Sequence, residues 1–364
     1  GSGRRASRLA AKIDMTARTH FRRIDRRANA ALGFGLFWAI LIAYCCVMMW
    51  ALAAIAEQRV HLTPNLVVGE VFRYQIDFRT TTTGTTTTPL VNPEGGSRSS
   101  QTIHLLVRLD VLGASAALPS TPGGMHIRAT FEKSSASSES DALDPSTSSL
   151  ASRYARMERR SVEFTLAPDG QLTGFKGLKE IFAESSGAQP IISWLSALSP
   201  NAGMPTNGVR TGEKWKSQHP LQGQPLSDLL WRTESTYLRN EPCDSPATLA
   251  RKSNQPVKSA SGCAVILTHF EISRQGSPHS DATPEDYRRN GLRTSGTWLG
   301  SGEALETVSL ATGLLVSSTQ TSKEDADYEI ASVATGSRIH EQAHVQSQSE
   351  ITLVAPPERP ARPE

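Results

Sequence analysis

The sequence lacks the motifs that identify common enzymes. It has no G-x-S-x-G, no P-loop and no C-x-x-C, which argues against serine hydrolases of the α/β type, P-loop nucleotide enzymes and thiol redox proteins. It also has no N-x-S/T sequon after residue 56, which disfavours a eukaryotic secretory protein. We therefore take a bacterial source as the working interpretation.

Charge is absent from residues 28–56, a stretch of 29 residues. Residues 1–27 before it carry nine Arg or Lys and two Asp, a net charge of +7, while the rest of the chain is near −4. An apolar stretch of about 20 residues spans a bilayer, and the positive-inside rule keeps a basic flank in the cytosol. The sequence predicts a cytosolic tail, a transmembrane helix over 28–56 in the cytoplasmic membrane, and an extracytoplasmic domain. An acidic domain disfavours a nucleic-acid partner.

Two alternatives for the ends of this segment stay open. Ala54-Ile55-Ala56 offers the small-x-small pattern of signal peptidase, so cleavage after Ala56 competes with an uncleaved anchor. The stretch is longer than the 7–15 residues of an ordinary signal core, which favours the anchor. The basic tail either lies on anionic lipid as an amphipathic helix or is a disordered retention signal.

The hydrophobic period becomes two after residue 56. Apolar and polar residues alternate in about a dozen segments, which is typical of strands with one buried face. Clear examples run from Phe72 to Phe78, Ile103 to Val111, Met125 to Phe131 and Val162 to Leu166. The sequence predicts a mainly β domain over 57–355, built as one antiparallel curved sheet or open barrel, and a disordered tail over 356–364.

Turns, a helix and two loops complete the predicted layout. Residues 168–170 (Pro-Asp-Gly) and 311–313 (Ala-Thr-Gly) predict hairpins. Pro190 suits the first position of a helix over 190–198, a small cap whose apolar face has Ile191, Trp194, Leu195 and Leu198. The threonine-rich run 80–88 and the serine-rich run 134–152 predict mobile loops.

The order of the predicted elements resembles that of known proteins. A strand and a long polar loop are followed by the strand Val162 to Leu166, short helices and a closing meander through Gly300 and Gly313. This order resembles uncharacterised exported bacterial β-rich proteins and, more loosely, the half-barrels of outer-membrane lipoprotein carriers. That resemblance implies a curved sheet with helices over a concave face that holds an acyl chain. It rests on layout and transfers no binding residue.

One string has the form of an enzyme motif, His340-Glu341-Gln342-Ala343-His344. In zinc peptidases the two histidines of H-E-x-x-H bind the metal from one face of a helix, and the Glu activates water. Here residues 339–354 alternate with period two, which predicts a strand that would hold the imidazoles about 13 Å apart. Asp325, Asp327 and Glu329 lie in a predicted turn and lack the spacing of a calcium loop.

The four cysteines fall into two pairs. Cys45 and Cys46 lie within the predicted membrane helix, where we expect inert thiols. Cys243 and Cys263 flank a polar connection between two predicted strands outside the cytoplasm. An oxidising compartment would allow them to form a disulfide, and two free buried thiols are the alternative.

Three functions remain open. The first is a non-enzymatic envelope protein that binds an apolar ligand or a partner beneath the predicted helix, through Trp194, Leu195 and Leu198, with no cofactor. The second is a zinc metallopeptidase with His340 and His344 as ligands and Glu341 as catalytic base. The third is a structural envelope protein whose sheet is an assembly surface. A large cavity lined by the Trp194 helix would favour the first.

Overall fold

The computed structural model describes residues 59–87, 96–115, 123–141, 146–181, 185–199, 203–221, 224–243 and 262–354, without the side chains of 146–149 and 185–190. The predicted tail 1–27, membrane segment 28–56 and C-terminal tail 356–364 lie outside these residues. Within the described ranges, no helix combines the length and apolarity needed to cross a membrane.

Eleven strands form one open antiparallel sheet in the described residues, as the period-two pattern predicts. The strands are β1 (Val71–Thr87), β2 (Ser97–Ser115), β3 (Gly124–Ser140), β4 (Ser161–Leu166), β5 (Leu172–Lys176), β6 (Lys214–Pro220), β7 (Leu229–Pro242), β8 (Gly262–Arg274), β9 (Leu292–Ser309), β10 (Leu315–Ser332) and β11 (Arg338–Leu353). Their order is β5-β4-β3-β2-β1-β11-β10-β9-β8-β7-β6, so the first strand pairs with the last at the centre.

Each half of the sheet is a meander of neighbouring strands. Strands β1 to β5 run outward in one direction, and β11 back to β6 run outward in the other. Both predicted hairpins are confirmed: β4 pairs with β5 and β9 pairs with β10. Gly170 (φ 83°) and Gly313 (φ 68°) supply the left-handed conformations that these turns need.

Both predicted mobile loops are wrong where the structure describes them. Thr80 to Thr87 belong to β1, between β2 and β11, so their backbone groups can bond on both sides. The serine-rich run continues β3 as far as Ser140, and a helix begins at Ser146. Low complexity was the misleading signal, because β-branched threonine favours a strand whenever neighbours are available to pair with it.

Four helices lie in the described residues: α1 (Ser146–Met157), α2 (Leu178–Ile181), α3 (Ser185–Ala197) and α4 (Glu285–Arg289). The predicted cap corresponds to α3, but it begins five residues before Pro190, so the predicted start is wrong. Proline removes one amide donor near the helix start. The packing of the buried Ile191, Leu195 and Leu198 against the sheet offsets that loss.

Two hydrophobic clusters lie on one face of the sheet, which we call the inner face. The first cluster contains the buried side chains of β1 to β4, the ends of β8 to β11, and residues of α1 and α3. The second cluster is smaller and contains Leu226, Leu229, Ile272, Ala282, Ala326 and Tyr328. Residues from Arg59 onward form a compact unit, and every described strand and both clusters lie within it.

The predicted disulfide is present. Cys243 and Cys263 are bonded with their Cα atoms 5.1 Å apart, and the bond closes a connection of 20 residues. Cys263 is fully buried at the start of β8, beside Ala264 of the first cluster. The bond therefore ties the β7–β8 pair together at the end of the sheet that holds the first cluster.

Candidate functional site on the inner face of the sheet

The H-E-x-x-H string lies in β11, a strand, as its alternation predicts. His340 and His344 face the outer side, where His340 Nε2 is 2.8 Å from Asp327 Oδ1 and His344 Nδ1 is 2.7 Å from Asp325 Oδ1. The predicted turn around these aspartates is wrong, because they belong to β10 and pair with β11. The bond from His340, followed by that from Gln342, lowers the pKa of Asp327.

Glu341 lies on the opposite face from the two histidines. Its carboxylate accepts a hydrogen bond from Tyr328 Oη at 2.5 Å. The geometry of a zinc peptidase, with two histidines on one helix face and the Glu beside them, is therefore not formed by this string. No group of three or more His, Cys, Asp or Glu side chains is placed to hold a metal within the ranges that the structure describes.

The residues predicted to line a ligand cavity lie in the first cluster. Leu195 is 2% exposed and Leu198 is 3% exposed. Trp194 is half-buried, with its ring 6.2 Å from the rings of both Phe78 and Tyr154. Helix α3 thus packs directly against the sheet with these side chains as core.

The second cluster presents two tryptophan rings that are only partly covered, each packed on a buried aromatic ring. Trp231 stacks on Phe270 with ring centroids 4.4 Å apart, and Trp298 stacks on Tyr328 at 6.2 Å. Both tryptophans are half-buried. Loop residues such as Leu226 and Ala282, rather than a long helix, pack against this part of the sheet.

Two glycines of β9 let large neighbours lie close to the sheet. A Cβ atom at Gly302 would collide with the Phe270 ring and the Thr321 carbonyl. A Cβ atom at Gly300 would lie 3.0 Å from Glu324 Cγ and 3.2 Å from Ile272. The glycines therefore allow the side chains of Phe270, Ile272 and Glu324 to pack over β9. As a result, two apolar side chains and one carboxyl group lie close together on the inner face.

The carboxyl of Glu324 is bonded to an aromatic neighbour. Trp298 Nε1 donates a hydrogen bond to Glu324 Oε2 at 3.0 Å. Burial raises the pKa of Glu324, and the bond from Trp298 opposes that rise. Tyr287 of α4 lies near Glu341, and burial followed by that carboxylate raises the pKa of Tyr287.

Glu306 is a third carboxyl on the inner face, at the border of the first cluster. It sits opposite Ile266 on one side and Ser318 on the other. Burial raises its pKa to about 7, and a hydrogen bond with Thr268 opposes the rise. The Thr268 hydroxyl is 2.9 Å from the Ser235 hydroxyl, so the carboxyl ends a short polar chain.

A band of short hydroxyl side chains separates the two clusters. Thr80 and Ser347 are bonded across β1 and β11 at 3.0 Å, and Ser217 and Thr233 across β6 and β7 at 2.7 Å. Ser322 lies in the same cross-strand row, opposite Ser347. The inner face therefore changes from apolar to polar and back to apolar along the strands.

The two faces differ sharply in charge. The outer face has many ion pairs, such as Arg73 with Glu132 at 2.9 Å and Arg128 with Glu163 at 2.8 Å. On the described strands, the register places three carboxyls on the inner face: Glu306, Glu324 and Glu341. Its basic groups are Arg274, at the end of β8, and His219, on the edge strand β6.

The Arg274 guanidinium is hydrogen-bonded to nearby backbone carbonyl groups. It donates to the backbone carbonyls of Ser277, Ser280 and Gly296 at 2.9, 3.0 and 2.9 Å. Among the described ion pairs, none includes Glu306, Glu324 or Glu341. The inner face therefore holds carboxyls that face aromatic rings and hydroxyls instead of cations.

Two shallow depressions of the surface lie away from α3. One, of about 440 Å³, is lined by His269, Glu271, Glu303 and Lys323. The other, of about 280 Å³, is lined by His279, Asp281, Arg293 and Glu329, all of which are polar. Oppositely charged side chains share both depressions, Phe270 also lines the larger one, and no residue of α3 lines either.

No family model matches the chain, and no curated protein matches it. Among solved structures, the chain is similar to lipovitellin in a structure that concerns lipid–protein interactions, with a TM-score of 0.38 and 10% sequence identity. The match covers 82% of this chain and 26% of that one, so this chain spans about a quarter of the length of lipovitellin in that structure.

Proposed function

We propose that the chain is a non-enzymatic binding protein of the bacterial cell envelope, anchored in the cytoplasmic membrane by residues 28–56. Its β domain lies outside the cytoplasm and holds an apolar ligand on the inner face of the sheet. The ligand lies over the second cluster, whereas α3 and the first cluster form the folding core. The basic tail, residues 1–27, remains in the cytosol and contacts anionic lipid.

The observation that carries the proposal is the partial exposure of two tryptophans that pack against the second cluster. Trp231 and Trp298 keep part of their surface accessible, on a face that the loops around Leu226 and Ala282 cover incompletely. Large aromatic side chains contribute strongly to burial when a ligand covers them. Apolar sites with a few polar groups are typical of small-molecule binding.

The compartment is supported by two independent features. The charge-free stretch 28–56 follows a segment of net charge +7, which orients the remainder of the chain outward. The bond between Cys243 and Cys263 is of a kind that persists in oxidising compartments. Both features agree with a tethered domain on the outer side of the cytoplasmic membrane.

The direct test is the native intact mass of residues 59–364 made in an oxidising compartment, compared with the denatured mass. We expect a noncovalent excess of lipid size, lost on denaturation, and restored when stripped protein is incubated with bacterial lipid extract. A stripped protein that takes up no mass from the extract would contradict binding.

Anchoring is tested separately on the full chain. We expect it in the membrane fraction after carbonate extraction, with the β domain digestible by protease added outside the inner membrane. A chain without residues 1–56, sent to the same compartment by a cleavable signal, is the control and should be soluble. Recovery of the full chain in the soluble fraction would contradict the anchor.

A further inference from the structure

The inner face has one place where carboxyls and aromatic rings are joined in a single network. Glu324 accepts from Trp298, Trp298 stacks on Tyr328, and Tyr328 donates to Glu341. Tyr287 adjoins Glu341 from α4. We call these five residues the acidic aromatic patch. Its two carboxyls belong to neighbouring strands, β10 and β11, and have no described cationic partner.

We infer that the acidic aromatic patch binds the cationic head group of an amphiphilic ligand, an amine or a quaternary ammonium. This inference rests on the proposed function and adds the chemical class of the ligand. A cation is attracted to the face of Trp or Tyr within about 6 Å of the ring centroid, and a carboxylate beside the ring adds to that attraction. An anionic head group would be repelled by the same carboxylates.

Apolar neighbours on both sides of the patch suit the tail of such a ligand. Ile330 pairs with Ile339 on one side, and Ala326 pairs with Ala343 on the other. Ile339 is 38% exposed, which leaves apolar surface beside Glu341. Ile330 and Ala343 are also partly exposed, and the partly exposed Trp231 extends this apolar surface to β7, where it packs on the buried Phe270 and Ile272.

The charge distribution argues against a purely structural role for this network. Most described carboxylates of the outer face are matched by Arg, Lys or His, as in the pair of Lys214 with Glu234 at 2.8 Å. Glu324 and Glu341 instead have aromatic hydrogen-bond donors. Partly buried carboxyls without a cation are costly in the ionised form, and a bound organic cation would remove that cost.

The experiment uses residues 59–364 and three octyl probes below their micellar concentrations: octyltrimethylammonium, octyl glucoside and octyl sulfate. Tryptophan fluorescence and calorimetry give the affinity of each. We expect the ammonium probe to bind at least roughly tenfold more tightly than the sulfate, a preference of about 1.4 kcal/mol, with the glucoside between them. Protonation removes the negative charge of the Glu324 carboxylate. The preference for the ammonium probe over the sulfate should therefore become smaller as the pH falls through the pKa of Glu324.

The matched variants are Glu324→Gln with Glu341→Gln on the inner face, and Glu303→Gln with Glu350→Gln on the outer face. The amide oxygen of Gln can still accept from Trp298 and Tyr328, and circular dichroism verifies that each variant retains its sheet. We expect the inner pair to lose the ammonium preference while its glucoside affinity changes less than about twofold, and the outer pair to behave as wild type. If the inner pair does not fold, the single Glu324→Gln variant takes its place.

Each other outcome has a definite meaning. Three outcomes would overturn the inference and leave the proposed function standing. They are binding of all three probes with no preference for the ammonium probe, a preference that the inner pair retains, and mass uptake from the lipid extract without binding of the ammonium probe. If none of the probes binds and the lipid extract adds no mass, the proposed function fails and the inference fails with it.

Discussion

The two hydrophobic clusters share one face of one sheet, yet they are built differently. In the first, α1 and α3 cover the strands, and side chains such as Ile76, Phe131 and Leu195 are almost fully buried. In the second, Trp231 and Trp298 stay half-exposed and Glu324 lies among them. Apolar area alone therefore does not distinguish a candidate binding surface from a folding core. A site is marked by apolar area that the fold leaves incompletely covered.

The polar band explains why the clusters do not merge. Short hydroxyl side chains such as Ser322 and Ser347 face each other between them. A continuous apolar face would let helices or other chains pack over the whole sheet. The band therefore keeps the first cluster, which helices cover, apart from the second cluster, whose tryptophans remain partly exposed.

The greatest loss of stability is expected from a change in the buried first cluster. Replacing Leu195 by Ala should lower the free energy of unfolding by about 4 kcal/mol, because the change leaves a cavity in the first cluster. Urea denaturation of residues 59–364 measures this. Leu299→Ala is the control, since Leu299 is 59% exposed on the outer face and its loss should cost less than about 1 kcal/mol. Equal losses of stability in the two variants would contradict a core position for Leu195.

The next largest loss of stability is expected when the disulfide beside the first cluster is removed. The double replacement Cys243→Ser and Cys263→Ser should lower the free energy of unfolding by about 3 kcal/mol, because the bond constrains a 20-residue connection in the unfolded chain. Reduction of the wild type should have the same effect, measured by thermal denaturation with and without reductant. An unchanged melting temperature would show that the bond contributes nothing to stability.

A smaller effect is expected at the border between the clusters, where burial raises the pKa of Glu306 to about 7 from an ordinary value of 4.5. The folded chain then binds more protons than the unfolded chain between these values, so stability falls as the pH rises across this window. Replacing Glu306 by Gln should flatten the fall and stabilise the protein by on the order of 2 kcal/mol at pH 8.

Denaturation curves at pH 5 and pH 8 measure the effect of Glu306→Gln. The variant Glu303→Gln is the control, because Glu303 lies on the outer face of the same strand. A wild-type stability that rises steadily between pH 5 and pH 8, unaffected by Glu306→Gln, would contradict a buried carboxyl at this position.

The smallest effect is expected on the outer face. Replacing His340 by Ala breaks an exposed pair with Asp327, so stability should change by less than about 1 kcal/mol. Zinc content after dialysis should equal that of wild type, as measured by elemental analysis, and His104→Ala is the matched control. Loss of a stoichiometric zinc on His340→Ala alone would revive the peptidase hypothesis.

The sheet was predictable from sequence because alternation is a local signal. Residues 72 to 78 show it directly, and the same parity rule placed His340 and His344 on a strand. The disulfide could also be predicted, since Cys243 and Cys263 are the cysteines outside the apolar segment. Composition failed for the threonines of β1, whose strand depends on pairing with β2 and β11, two partners distant in sequence.

The candidate site could not be predicted because it is assembled across strands. Glu324 meets Trp298 from the neighbouring strand, and Glu341 meets Tyr328 in the same way. The sequence did contain one usable signal, because Glu324 shares its parity with the buried Ala326 and Tyr328. A carboxyl on the buried parity of a strand is unusual. Leu195 and Leu198, which the sequence predicted as binding residues, are buried in the first cluster, and their role in binding stays a prediction.

Photolabelling can locate the ligand that we propose over the second cluster. An octyl amine that carries a diazirine on its tail would be bound to residues 59–364, irradiated and mapped by peptide mass spectrometry. We expect labels in β7 to β11, concentrated in residues 226–231 and 262–345, and their loss under competition with octyltrimethylammonium. Labels confined to α3 and the first cluster, or spread along the outer face, would contradict it.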